Sequence, residues 1–300
     1  MAKICPNEIT DYLTANFTED ETEWLVGSVF NYGDEIRDGH YIYKYAGDNG
    51  TNTTDRPSIE ADTQFADWTL WDPTNYYAML DGETGTQTLN TDSIEITIDS
   101  LNYNTISLLE VIGTEVILEL TSGGIPVYNV TINLIDARDV SGETSYWFEP
   151  FSFKPSIYLE NLPFVPNGIL SITINNTGGN AGCGRLIHGR NYTIGETLYN
   201  SSLGLESYSR KSTDEFGKDT LVQVDSVNLD THEVLIATNF IPELRRKMQE
   251  LDAIPILFIM DESSTSNTEN LLNFGFWETF NIGLSNPSKS VINLTIKGIL

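Results

Sequence analysis

The chain is short of the residues from which active sites are usually built. It has two cysteines and three histidines in 300 residues. Cys5 and Cys183 stand far apart, so neither a disulfide framework nor a paired-cysteine zinc motif is available, and two free thiols are expected. His40, His188 and His232 lack the mutual spacing of metal ligands. Gly182-Cys183-Gly184 lies close to His188, but residues 183 and 188 fall on opposite faces of a strand, and no third group is evident to orient a thiol–imidazole pair. Basic residues are scarce as well. Sixteen Lys and Arg face forty-three Asp and Glu, a formal charge of -27. Such a surface repels phosphate backbones, so nucleic acid is not an expected partner. Long apolar runs are missing, which excludes a helical membrane span. The start, Met1-Ala-Lys-Ile-Cys-Pro-Asn-Glu8, lacks the apolar centre of a secretory leader, so synthesis in a reducing cytoplasm is expected. No cofactor or metal site is expected.

What the sequence has in quantity is short alternating stretches. Ser93–Asp99, Thr114–Leu120, Val127–Ile135, Ile157–Leu159, Gly168–Ile174 and Gly184–His188 read as strands. Turn signals separate them: Ser122-Gly-Gly124, Ser141-Gly142, Pro166-Asn-Gly168 and Asn176-Thr-Gly-Gly-Asn180. Many short strands with polar turns predict a sandwich or barrel. The last third changes character. Ile241–Leu251 reads as a helix, with Pro242 in its first turn and Leu244, Met248 and Leu251 on one face. Ile254–Met260 is a wholly apolar run and reads as a buried strand. Asp261–Asn270 reads as a polar loop, and strands over 274–284 and 290–298 close the chain.

Three phrases carry resemblances. Between Trp24 and Trp68 lie Asn31-Tyr-Gly-Asp-Glu-Ile-Arg-Asp-Gly-His-Tyr-Ile-Tyr-Lys-Tyr45, Gly47-Asp-Asn-Gly50 and Pro57. This segment resembles the small chitin-binding modules of the family 5/12 type. The resemblance implies sugar-stacking rings, carried position by position onto Trp24, Tyr32, Tyr41, Tyr43 and Trp68; flat aromatic faces suit sugar faces. The other two phrases are Asp67–Thr88, with Pro73-Thr-Asn75, Ala78-Met79 and Asp81-Gly82, and Leu205–Gln223, centred on Tyr208-Ser-Arg-Lys-Ser-Thr-Asp-Glu-Phe-Gly217. With the ending Phe274–Leu300 they resemble tail-associated virion proteins of bacteriophages and prophages. That family implies a galactose-binding-like jelly roll, a non-enzymatic role, and copies of itself and other tail proteins as partners.

The expected protein is therefore mostly β, in three parts: a small aromatic module (15–60), a jelly-roll β-sandwich (61–200) and an α+β assembly domain (201–300). Its expected place is the virion, in or near the tail, as an oligomeric ring, collar or adaptor that holds fibres or touches a host glycan. The connector's Arg210 and Lys211 are expected to meet a neighbouring subunit's carboxylates. A secreted glycan-binding accessory protein is the alternative, and a depolymerase or lyase on a sandwich scaffold is a third reading.

Overall fold

The computed structural model describes the chain except for residues 20, 53–55, 62–66, 137–151, 214, 261–270, 285 and 300. It is mostly β, 55% strand and 8% helical. Every ladder between its described strands is antiparallel. The turn expected at Ser141-Gly142 and the loop expected over 261–270 lie outside the described residues.

The alternating stretches become one sandwich. Strands Ile125–Asn133, Glu115–Ser122, Gly168–Cys183, Thr88–Asp99 and Thr14–Ala15 form a five-stranded sheet in that order. Strands Ile157–Glu160, Thr105–Leu109 and Arg185–Gly189 form a three-stranded sheet. Period-two alternation sends Ile94, Ile96 and Ile98, Val116, Leu118 and Leu120 inward, where they meet Ile106, Leu108 and Leu186 of the smaller sheet. Each such side chain stabilises the fold by about 1.5–3 kcal/mol when removed from water. One expected turn is different. Asn176–Asn180 does not end its strand; the register jumps from Asn175–Ser93 to Asn180–Thr91 and pairing resumes to Cys183. The Gly-rich stretch is an extruded bulge, held where Gly178 N–H donates to Asp92 Oδ1 at 2.8 Å.

The second unit is a closed barrel, and it is not contiguous in sequence. Going round, its strands are Tyr192–Thr197, Ala2–Pro6, Ile256–Ile259, Leu272–Gly283, Lys289–Gly298 and Ser226–Ala237, and the last pairs again with the first. The wall strand Ile256–Ile259 is buried on both faces, which is why its sequence is continuously apolar. Phe258 faces the barrel core with Ile4, Val234 and Leu294. Leu257 and Ile259 face outward against Leu109 and Ile187 of the sandwich. Helix Ile241–Glu250 forms as predicted, and Leu244, Met248 and Leu251 join the barrel core. Sandwich and barrel approach closely at Gly189, where an added Cβ would lie 2.1 Å from the Pro6 carbonyl oxygen.

A small aromatic unit completes the chain. Strands Glu35–Asp38, Tyr41–Tyr45 and Trp68–Pro73 form its sheet. The sheets do not follow the expected parts. Residues 2–6 belong to the barrel, 14–15 to the sandwich, 68–73 to the aromatic unit, and 192–197 to the barrel. The reason is hydrogen bonding: each of these segments fills a strand position that its sequence neighbours leave open.

Candidate functional site

In the aromatic unit, Phe30, Ile36, Tyr43, Tyr45 and Trp68 pack as a core. Trp68 is 1% exposed and Tyr43 6%. Phe30 and Tyr45 pack against Trp68, edge-on and tilted, each 4.9 Å away centroid to centroid. This burial corrects the assignment of Trp68 and Tyr43 as sugar-stacking residues: a unit this small uses its largest rings to make any core at all. Trp24 and Tyr41 are half-buried. Trp24 packs on that core, with the Arg56 guanidinium 5.9 Å from its ring, and Tyr41 meets Tyr77 edge-on at 5.6 Å. Burial pushes the Tyr41 hydroxyl's pKa above its ordinary value. Of the five expected rings, Tyr32 alone stands in solvent, 73% exposed. Its backbone N–H donates to Asn49 Oδ1 at 2.7 Å, which fixes the loop that presents it.

A ring outside the expected set is also displayed. Trp71 is 58% exposed, and Lys44 Nζ lies 4.4 Å from its ring centroid. Trp71 is the extra residue of a bulge: Tyr43 pairs with Leu70 and Ile42 with Asp72, and Trp71 is passed over. Residues 69–72 are all exposed, so strand parity does not single it out in the sequence.

The connector phrase builds an arm. Strands Arg210–Thr213 and Asp219–Val222 pair only with each other among the described residues and are exposed along their length. Lys211 Nζ bonds Asp219 Oδ2 at 2.7 Å across the hairpin, and Thr213 Oγ1 donates to Oδ1 at 2.7 Å. These contacts hold the Asp219 carboxyl below its usual pKa. Lys211 thus has a partner in its own chain, and Arg210 is exposed beside it. The arm's root is fastened to the barrel. Lys297 Nζ meets Glu206 Oε2 at 2.5 Å and lies 5.5 Å from the Tyr208 ring. Ser209 Oγ donates to the Val224 carbonyl at 2.9 Å and accepts the Val224 N–H at 3.0 Å. The tip residue Phe216 is 94% exposed.

Both cysteines and two of the three histidines are inside the structure. Cys5 and Cys183 are free, fully buried, and each pushed up to about 12 by desolvation. His188 is fully buried, its Nδ1 2.8 Å from the Thr105 carbonyl and its Nε2 3.0 Å from the Ser100 carbonyl. Desolvation lowers its pKa, as it does for His232. Arg185 and Asp81 form a loose buried pair, Nη1 to Oδ1 3.7 Å, beneath the Phe274 ring. Burial pulls the arginine down and pushes the carboxyl up. Among the described residues, no group of three or more His, Cys, Asp or Glu side chains is placed to hold a metal ion. The displayed features are surfaces: Tyr32 and Trp71 on the aromatic unit, and the arm. No protein-family model, curated protein or solved structure matches this chain.

Proposed function

We propose that this chain is a non-enzymatic structural component of a bacteriophage virion, in the tail or beside it. Copies form a ring, collar or adaptor that holds fibres or touches a host glycan. In this reading the sandwich is a galactose-binding-like jelly roll, the barrel with its helix is the assembly unit, and the aromatic unit faces outward. The arm carries the argument. It is a two-stranded hairpin, exposed along both strands, that pairs only with itself among the described residues. An isolated hairpin is marginal in water, and each ordered residue loses about 1–2 kcal/mol of backbone entropy. A partner surface explains why such an element is built and so firmly rooted. The chain's net charge of -27 keeps free copies apart until a specific contact outweighs the repulsion.

The test is to purify phage particles, identify their proteins by mass spectrometry, and locate this chain with a labelled antibody by electron microscopy. The expected result is a fixed number of copies at the tail. Particles that lack the polypeptide, or release of reducing sugar from host polysaccharide by the purified protein, would overturn the reading.

One observation favours the second reading, a glycan-binding accessory protein: Tyr32 and Trp71 are displayed rings on one small unit. Binding on a glycan array that disappears in Tyr32→Ala and Trp71→Ala would support sugar contact. Loss confined to Trp68→Ala would point to unfolding instead.

A further inference from the structure

The barrel wall comes apart at one seam. Strands Tyr192–Thr197 and Ser226–Ala237 pair only at Glu196–Leu235 and Thr197–Val234, although both strands continue past that point. The splayed ends and helix Ile241–Glu250 enclose a groove of about 830 Å³. Ile194, Ile236 and Leu244 line it and are buried, and Phe240 is 55% exposed within it. Arg190, Arg246, Lys247 and Lys289 also line it, four of the chain's sixteen basic residues. Glu196, Glu243 and Glu250 stand among them, so four cations face three carboxylates in a chain of net charge -27. Lys247 lies over the Tyr192 ring at 4.6 Å and reaches Glu250 at 3.4 Å. The groove is apolar with a cationic lining, on an otherwise acidic molecule.

The arm offers a ring on a narrow hairpin whose charges are mixed, Arg210, Lys211 and Lys218 against Asp214, Glu215 and Asp219. Its tip carries Glu215 beside Phe216, an acid next to a ring that is 94% exposed. Arm and groove belong to opposite ends of one strand. The arm's root pairs at Ser226–Asn228, and the groove opens at Leu235–Ala237. At about 3.3 Å per residue, the two ends are roughly 25 Å apart. A tip displayed at one end and a groove open at the other suit a contact between two copies.

We propose that the groove receives the arm tip of a second copy of this chain, with the Phe216 ring against Ile194, Ile236 and Leu244 and the Glu215 carboxylate toward Lys247 and Arg246. The inference rests on the oligomer reading above and specifies its contact. Because tip and groove are different surfaces, the contact is head-to-tail, and its repetition closes a ring or runs on as a filament. A charged rim around an apolar anchor also makes the association sensitive to salt.

The test uses the full chain in sedimentation velocity over a range of concentrations up to high micromolar. The wild type is expected to form complexes of more than two copies that weaken as salt is raised. Phe216→Ala and Lys247→Glu should each weaken association about tenfold or more, with circular dichroism unchanged. An equimolar mixture of the two variants retains one good tip and one good groove. It should give a two-copy complex and nothing larger. Combining Glu215→Lys with Lys247→Glu in one chain should restore part of the association. Assembly that both single variants leave intact would overturn this contact while leaving the virion reading standing. A wild type that stays monomeric throughout would also overturn it, and the particle analysis above would then decide the virion reading separately.

Discussion

Trp68 and Trp71 sit three residues apart and do opposite things. One is 1% exposed and holds the aromatic unit together; the other is 58% exposed and lies under Lys44. Trp68→Ala is expected to cost about 3–5 kcal/mol, read as an early loss of the near-ultraviolet aromatic signal in denaturant titration. Tyr32→Ala and Trp71→Ala should stay within about 0.5 kcal/mol of wild type. Equal damage from all three would mean that the buried and displayed rings are misassigned. The histidines make a second residue-scale prediction. Desolvation holds the pKa values of His188 and His232 below the ordinary 6.5. The unfolded chain then binds protons that the folded one refuses. The stability these rings contribute is full above about pH 6.5 and is lost as pH falls toward their folded values. In an NMR titration both rings should change charge at lower pH than an exposed histidine, and the urea midpoint should drop on acidification from about pH 7 to 5. Rings that titrate at or above 6.5 would contradict this. At this scale the sequence singled out the aromatic residues, but burial divided them, and burial is a property of what packs on top.

Among the elements, those with strong periodicity were legible. Helix Ile241–Glu250 has its predicted apolar face, and the strands around Ser93–Asp99 and Glu115–Ser122 have their predicted inward sets. Two elements were not. The Gly-rich stretch after Asn175 has turn chemistry, and it does turn, but Thr88–Asn90 continues to offer ladder bonds beyond it, so the strand resumes. Residues 205–223, read as a connector, are mostly strand because their two halves match in register from Arg210–Val222 to Thr213–Asp219. The seam gives an element-scale prediction. Gly195 has φ of +152°, and a Cβ there would lie 2.5 Å from the Leu235 carbonyl oxygen. Gly195→Ala should push the two strands apart and destabilise the barrel by about 1–3 kcal/mol, measured as a lower denaturant midpoint. The wild-type midpoint would show that the seam tolerates widening.

For the whole molecule, the N-terminal strand is part of the barrel wall. Strand Ala2–Pro6 fills the wall position between Tyr192–Thr197 and Ile256–Ile259, and Lys3 Nζ reaches Glu160 Oε2 at 2.6 Å. Deletion of residues 1–6 should therefore open the barrel. It exposes two strand edges and removes Ile4 from the core. The expected outcome is loss of a single cooperative transition, with amide exchange rising across residues 190–197 and 256–259; unchanged protection there would refute the arrangement. Residues 201–300 expressed alone lack two of the six wall strands and should not fold independently.

The sequence alone determined the β class, the inward and outward sets of the strong strands, the helix and the free thiols, because these depend on periodicity and composition within short windows. Only the tertiary structure decided which rings are core, where a Gly-rich stretch bulges instead of ending a strand, and that residues 2–6 close a barrel begun at 192. Those outcomes depend on hydrogen-bonding edges and covering side chains supplied from far along the chain, and no local pattern carries that information.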